Sequence, residues 1–95
     1  MNVPTLIIVF NREDPARKLL EFLQDVRPRK LYVACDGPRA QRPGEKDKVD
    51  RVRQLVQDLI TWEHDVSLRY QETNLGSAAN ISQALTWFLP MSLRA

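Results

Sequence analysis

The sequence predicts an α/β fold in which a short parallel sheet is covered by helices. Three short apolar runs alternate with three stretches of helical period, and each run breaks off in a polar or glycine-bearing turn. At 95 residues the chain is read as one small domain, residues 1–95, with a limited core. Right-handed crossovers between parallel strands make 3-2-1 the natural strand order, with the first strand at one edge.

Thr5 to Phe10 is a continuous β-rich run, as a strand buried on both faces should be. Asp14-Pro15 supplies an N-cap and a first-turn proline, and Ala16, Leu19, Leu20 and Leu23 recur at helical spacing to about Val26. Arg27-Pro28 ends that helix. Lys30 to Cys35 is the second strand, cut off by Asp36-Gly37-Pro38. Pro38 to Glu45 reads as an exposed loop, and Val49, Val52, Val56 and Leu59 mark the buried face of a second helix whose other face is charged. Val66, Leu68 and Tyr70 alternate with Ser67, Arg69 and Gln71, which fits an edge strand with one polar face. After Asn74-Leu75-Gly76, the residues Ala78, Ile81, Leu85 and Phe88 form the apolar stripe of a third helix, which Pro90 is expected to stop. The β-α units therefore span about 5–26, 30–60 and 66–89.

Fourteen basic residues stand against 12 acidic ones, interspersed along the chain, so the net charge of +2 is no nucleic-acid footprint. A mildly positive surface suits an anionic small molecule and equally a plain solvated exterior. The single cysteine, Cys35, excludes an internal disulfide or cysteine-based zinc cluster, reads as a small core residue, and fits cytoplasmic residence. The longest apolar run, Leu6 to Phe10, is far too short for a membrane span, and no helix has the basic and aromatic faces of a membrane-surface segment.

Ligands of open α/β sheets lie beyond the carboxyl ends of the strands, which directs attention to Phe10-Asn11-Arg12, Asp36-Gly37 and Asn74-Leu75-Gly76. Asn11 and Arg12 offer donors to a base or phosphate, or cap a helix and carry a surface charge. Asp36 is placed to accept from a ring N–H or a ribose hydroxyl, although Asp-Gly is also a common turn pair. Gly76 permits close approach and Ser77 opens a helix whose N-terminus favours phosphate, or the pair is an ordinary turn and cap. Arg39 and Arg42 either fold over a diphosphate or are solvated. Trp62, Trp87 and Phe88 fall where helices meet the sheet and read as packing. His64, alone between helix and strand, reads as a surface or capping residue.

Together these strand ends resemble the family 2-like glycosyltransferases of the GT-A nucleotide-diphospho-sugar transferase class, most closely the bacterial hemolytic-protein-like subgroup. The resemblance covers residues 3 to about 89 and rests on Pro4 to Arg12, Leu31 to Arg39, Arg42-Pro43-Gly44-Glu45, Asn74-Leu75-Gly76 and Thr86-Trp87-Phe88, in that order and spacing. It implies a Rossmann-like three-layer partial GT-A domain that takes a nucleotide sugar, commonly a uridine diphosphate sugar, with Phe10, Asn11, Arg12, Asp36 and Gly37 on base and ribose. Asn74 and Gly76 would close the same pocket.

The family continues into a fourth strand ending in an acidic Asp-x-Asp-like motif for a divalent metal, Mn or Mg, and then into the acceptor site. Here the sequence reads Leu89 to Ala95 and ends, and neither Asp47-Lys48-Val49-Asp50 nor Glu63-His64-Asp65 follows a buried strand. The expectation is thus a truncated nucleotide-binding half, inactive alone and without a metal of its own. The alternative is a non-catalytic interaction module that associates through the open edge of the first strand, with a second copy or a partner supplying the missing half.

Overall fold

A computed structural model describes residues 3–62 and 65–92. The elements are β1 (Thr5–Val9), α1 (Glu13–Val26), β2 (Lys30–Cys35), α2 (Glu45–Leu59), β3 (Asp65–Tyr70) and α3 (Ser77–Ser92). All pairing is parallel, in the order β1-β2-β3, which is the expected 3-2-1 arrangement. Val9 lies opposite Cys35, and Cys35 opposite Tyr70, so the three strands finish level and their carboxyl ends share one rim.

Alternation along the strands makes two layers of packing. On one face Ile7, Val9, Leu31, Val33 and Cys35 meet Ala16, Leu20 and Leu23 of α1 and Val49, Val52 and Val56 of α2. Leu20, Leu31, Val33, Val49 and Val52 have no exposed surface, so cutting Leu20 back to alanine would cost about 2–5 kcal/mol. On the other face Tyr32 packs edge-on against Trp87 (5.4 Å between centroids) and Phe88 (5.1 Å). Such aromatic pairs are worth about 0.5–1.5 kcal/mol each beyond burial, enough to set how α3 is rotated. Trp62 extends the α1–α2 side and donates its indole N–H to the Pro28 carbonyl at 2.8 Å.

Several details differ from the expectation. The α3 stripe is displaced: Asn80 and Ala84 are buried, Trp87 and Phe88 half-buried, while Ala78, Ile81 and Leu85 are exposed. The two rings seated on Tyr32 fix the helix with positions 80, 84, 87 and 88 toward the sheet. Pro90 lies inside α3, not at its stop, because a missing N–H so near the helix end breaks little of the ladder. Helix α1 begins at Glu13 with Arg12 as N-cap, not Asp14, and no side chain caps it. The first-turn acids Glu13 and Asp14 complement the helix dipole instead. β1 stops at Val9 and is not buried on both faces, since Ile8 is 38% exposed. β3 is an edge strand as expected, but its apolar face is open, with Val66 37% and Leu68 51% exposed, because α2 packs toward α1. In the Pro38–Glu45 segment residues 40–44 are exposed as expected, but Pro38 and Arg39 are half-buried and Glu45, the first residue of α2, is buried. His64 lies outside the described residues.

Candidate functional site

The β2 end is the hub of the rim. Asp36, only 4% exposed, accepts through Oδ1 from the backbone N–H groups of Gly37 and Leu75, both at 2.8 Å. Its Oδ2 accepts from the Gly76 N–H and from Asn74 Nδ2, both at 3.1 Å. Asn74 Nδ2 also reaches the Gly37 carbonyl at 2.9 Å. The carboxylate therefore lies at the N-terminus of α3, where an anion is favoured by free N–H groups and the helix dipole. Gly37 is needed for the same seam. A Cβ there would come within 2.6 Å of the Thr73 carbonyl group and 2.7 Å of the Glu72 carbonyl carbon, all backbone atoms. Gly76 turns the chain into α3 with φ +91°, a region that favours glycine.

A second cluster joins the β1 end to the loop after β2. Arg39 grips Glu45 with Nε on Oε1 (2.9 Å) and Nη2 on Oε2 (2.6 Å), and its backbone N–H also donates to Oε1 (2.8 Å). Asn11 Nδ2 adds a longer bond to Oε2 at 3.3 Å, and the Arg39 guanidinium lies 5.8 Å from the Phe10 ring centroid. The Arg39 side chain and N–H hold the Glu45 carboxyl down at about 2, with Asn11 adding a smaller push in the same direction. Gly44, at φ +81°, lets the loop turn directly into α2 so that Glu45 points inward.

Behind the rim, Arg53 of α2 clamps β2 to β3. Its Nη2 donates to the carbonyls of Gln71 (2.8 Å) and Asp36 (3.2 Å), and its guanidinium stacks over Tyr70 at 4.6 Å. Burial pushes the Tyr70 hydroxyl up to about 12, against the pull of Arg53. Burial also raises the Cys35 thiol, which Arg53 opposes, so this cysteine is a core group as read from the sequence.

A recess of about 260 Å³ opens between the three strand ends and α3, lined by Phe10, Asp36, Asn74 and Gly76 together with Arg39 and Asn80. Four of the sequence-derived candidates thus converge there. Asn11 and Arg12 instead line a neighbouring recess of about 270 Å³ on the open side of β1, with Phe10 shared between the two. Gly37 is buried and lines neither of them. A larger recess of about 610 Å³ runs between α2 and β3. It is the uncovered face of Val66, Leu68 and Tyr70, not a strand-end cavity.

Sequence reasoning missed Glu45, Arg53 and Asn80. Glu45 stood in the Arg42-Pro43-Gly44-Glu45 segment, but nothing local marked Arg39 as its partner. Arg53 sat on the nominally charged face of α2. Asn80 interrupts the sheet-facing side of α3, is 4% exposed, and its side-chain Oδ1 has no hydrogen-bond partner among the described residues. Leaving a buried amide oxygen unpaired costs about 1–3 kcal/mol, so its position against the recess is notable.

No family model matches the chain, and neither the curated proteins nor the solved structures give a significant match.

Proposed function

We propose that these residues form the nucleotide-binding part of a glycosyltransferase-like domain, taking the nucleoside of a uridine diphosphate sugar at the carboxyl ends of the strands. The observation that carries this reading is the convergence of Phe10, Asp36, Asn74 and Gly76 on one recess, at the position where open α/β sheets bind ligands. At about 260 Å³ the recess suits a base and ribose and is too small for a whole sugar nucleotide.

The hydrogen bonds refine the residue roles. Asp36 already neutralises the α3 N-terminus, so a phosphate placed there would face a carboxylate. The diphosphate therefore belongs on the outer side, toward exposed Arg12, with Asn11 between. Asp36, Gly37 and Asn74 act chiefly by holding the rim of the pocket. Asp36 and Glu45 are each engaged by internal donors, so in this reading they shape the pocket. Cytoplasmic residence is part of the proposal. Among the described residues no helix is long and apolar enough to cross a membrane.

Chemical-shift titration with uridine diphosphate tests the reading. Perturbation should centre on the amides of Phe10, Asn11, Arg12 and Gly76, with a Kd between about 0.1 and a few millimolar, or roughly 4–6 kcal/mol. Shifts spread over the opposite rim, or none at saturation, would sink it.

A second reading, association through β1, is favoured by the sheet order. β1 is an edge, and its own Ile8 together with Ile81, Leu85 and Leu89 of α3 are 38–51% exposed. The partner would be a second copy of the chain.

A further inference from the structure

Asn80 lies one turn into α3, where its backbone N–H makes the first helical bond to the Gly76 carbonyl at 2.9 Å. Packing alone does not account for the residue. The next sheet-facing position, one turn on, is the fully buried Ala84, followed by the rings of Trp87 and Phe88. A buried side-chain oxygen without a partner weakens the fold unless something else completes it. Asn80 borders the strand-end recess, whose walls also include Phe10, Ile8 and Ile81 beside Asp36, Arg39 and Asn74, with Ser77 at the start of α3. With Asp36 and Arg39 of the same lining already engaged inside the chain, the apolar walls and the unsatisfied amide suit an uncharged planar polar ring better than a phosphate.

We propose that Asn80 reads the base, accepting the imide N–H of a pyrimidine ring while its Nδ2 donates to the adjacent ring carbonyl. The inference rests on the nucleotide-binding reading above and names the residue that makes it selective. An amide offers a donor and an acceptor side by side, the complement of an N–H next to a C=O, and a half-turn of the terminal torsion presents either order. Phe10 forms the apolar wall against the ring. Asp36 is fully engaged at the helix N-terminus, so Asn80 supplies the acceptor that Asp36 does not.

The test compares uridine and 3-methyluridine, which lacks the imide N–H, on the native chain and on Asn80→Leu. Native protein should bind uridine about 3- to 10-fold more tightly than 3-methyluridine. Asn80→Leu should lose that preference while melting no lower than the native chain, since the buried unpaired oxygen is gone. A residue that merely holds a buried water would change the melting temperature and leave the preference intact. Equal binding of the two nucleosides by native protein overturns the assignment, and that arm decides alone if Asn80→Leu does not fold. Selectivity that persists in a folded Asn80→Leu also overturns it, and selectivity against 2′-deoxyuridine in place of 3-methyluridine would move the contact to the ribose and refute the base assignment. Should neither uridine nor uridine diphosphate perturb any strand-end amide, the nucleotide-binding reading itself falls and this inference falls with it. Uridine binding without imide selectivity removes the inference alone.

Discussion

The carboxylate of Asp36 accepts a hydrogen bond from the backbone N–H of Gly76, 40 positions further along the chain, at 3.1 Å. With Leu75, Gly37 and Asn74 also donating, one buried side chain ties the end of β2 to the turn that opens α3. The geometry of the candidate pocket depends on this tie, because α3 forms one of its walls.

Asp36→Asn therefore tests the hub. An amide in place of the carboxylate must direct N–H groups at existing donors, whichever way it is turned. Lost charge-assisted bonds and donor-donor opposition should lower stability by about 2–4 kcal/mol, read as a fall in the denaturant midpoint. An unchanged midpoint would mean that the carboxylate is idle.

Gly37→Ala presses a methyl against the backbone at Glu72 and Thr73. Backbone cannot swing aside as a side chain does, so the β2 end and the β3–α3 turn must separate. The expected destabilisation is about 1–3 kcal/mol, with amide shifts concentrated at residues 72–76. Native stability in this variant would contradict the close approach.

The legibility of the fold differs by element. β2 is readable because a buried central strand is apolar almost throughout, here at every position from Leu31 to Cys35, and its place between two neighbours follows from the handedness of crossovers. The rotation of α3 is not, since Ala78, Ile81 and Leu85 satisfy a helical period as well as Asn80, Ala84 and Phe88 do. Only the meeting of Tyr32 with Trp87 and Phe88 decides between them. At the rim the same limit applies. Asp36 and Asn74 were visible as strand-end polar residues, but their pairing with each other, and the engagement of Glu45 by Arg39, are tertiary relationships that no local spacing encodes.

Acid should act through Glu45. Its folded carboxyl is held at about 2 against an ordinary 4.5, chiefly by Arg39, so its contribution is present above about pH 4.5 and is lost as pH falls toward 2. Glu45→Gln removes that titration. The native chain should exceed the variant in stability by a constant amount above about pH 5, with the gap closing below pH 4.5. A gap independent of pH down to about 2 would show that the ion pair does not bias the fold.

Added manganese or magnesium should leave uridine diphosphate affinity within about twofold, because Asp36, the carboxylate lining the recess, is held by four donors, and Glu45 behind it is held by Arg39. Calorimetric titration with and without the ion measures this. A tenfold tightening would mean that one of these acids is released on binding.

The last expectation concerns the open edge of β1. Thr5 to Val9 is uncharged and strongly β-forming, and as the terminal strand of the sheet it presents backbone groups on one side. Ile8 of the strand itself and Ile81, Leu85 and Leu89 of α3 are apolar side chains that a single copy leaves 38–51% exposed. A two-fold pairing of β1 with its symmetry mate would extend the sheet and bring these side chains of both copies toward the joint, so backbone bonding and apolar burial act together. Pro4, without an N–H, limits the pairing at one end. Sedimentation across a concentration series should show a monomer–dimer equilibrium, and a charge at the edge, Thr5→Lys, or on α3, Leu85→Lys, should shift it toward monomer by tenfold or more. Leu85 is 41% exposed in the monomer, so the second substitution spares the core. A chain that stays monomeric at millimolar concentration, with β1 amides exchanging freely on the unpaired side, would show that the edge is tolerated bare.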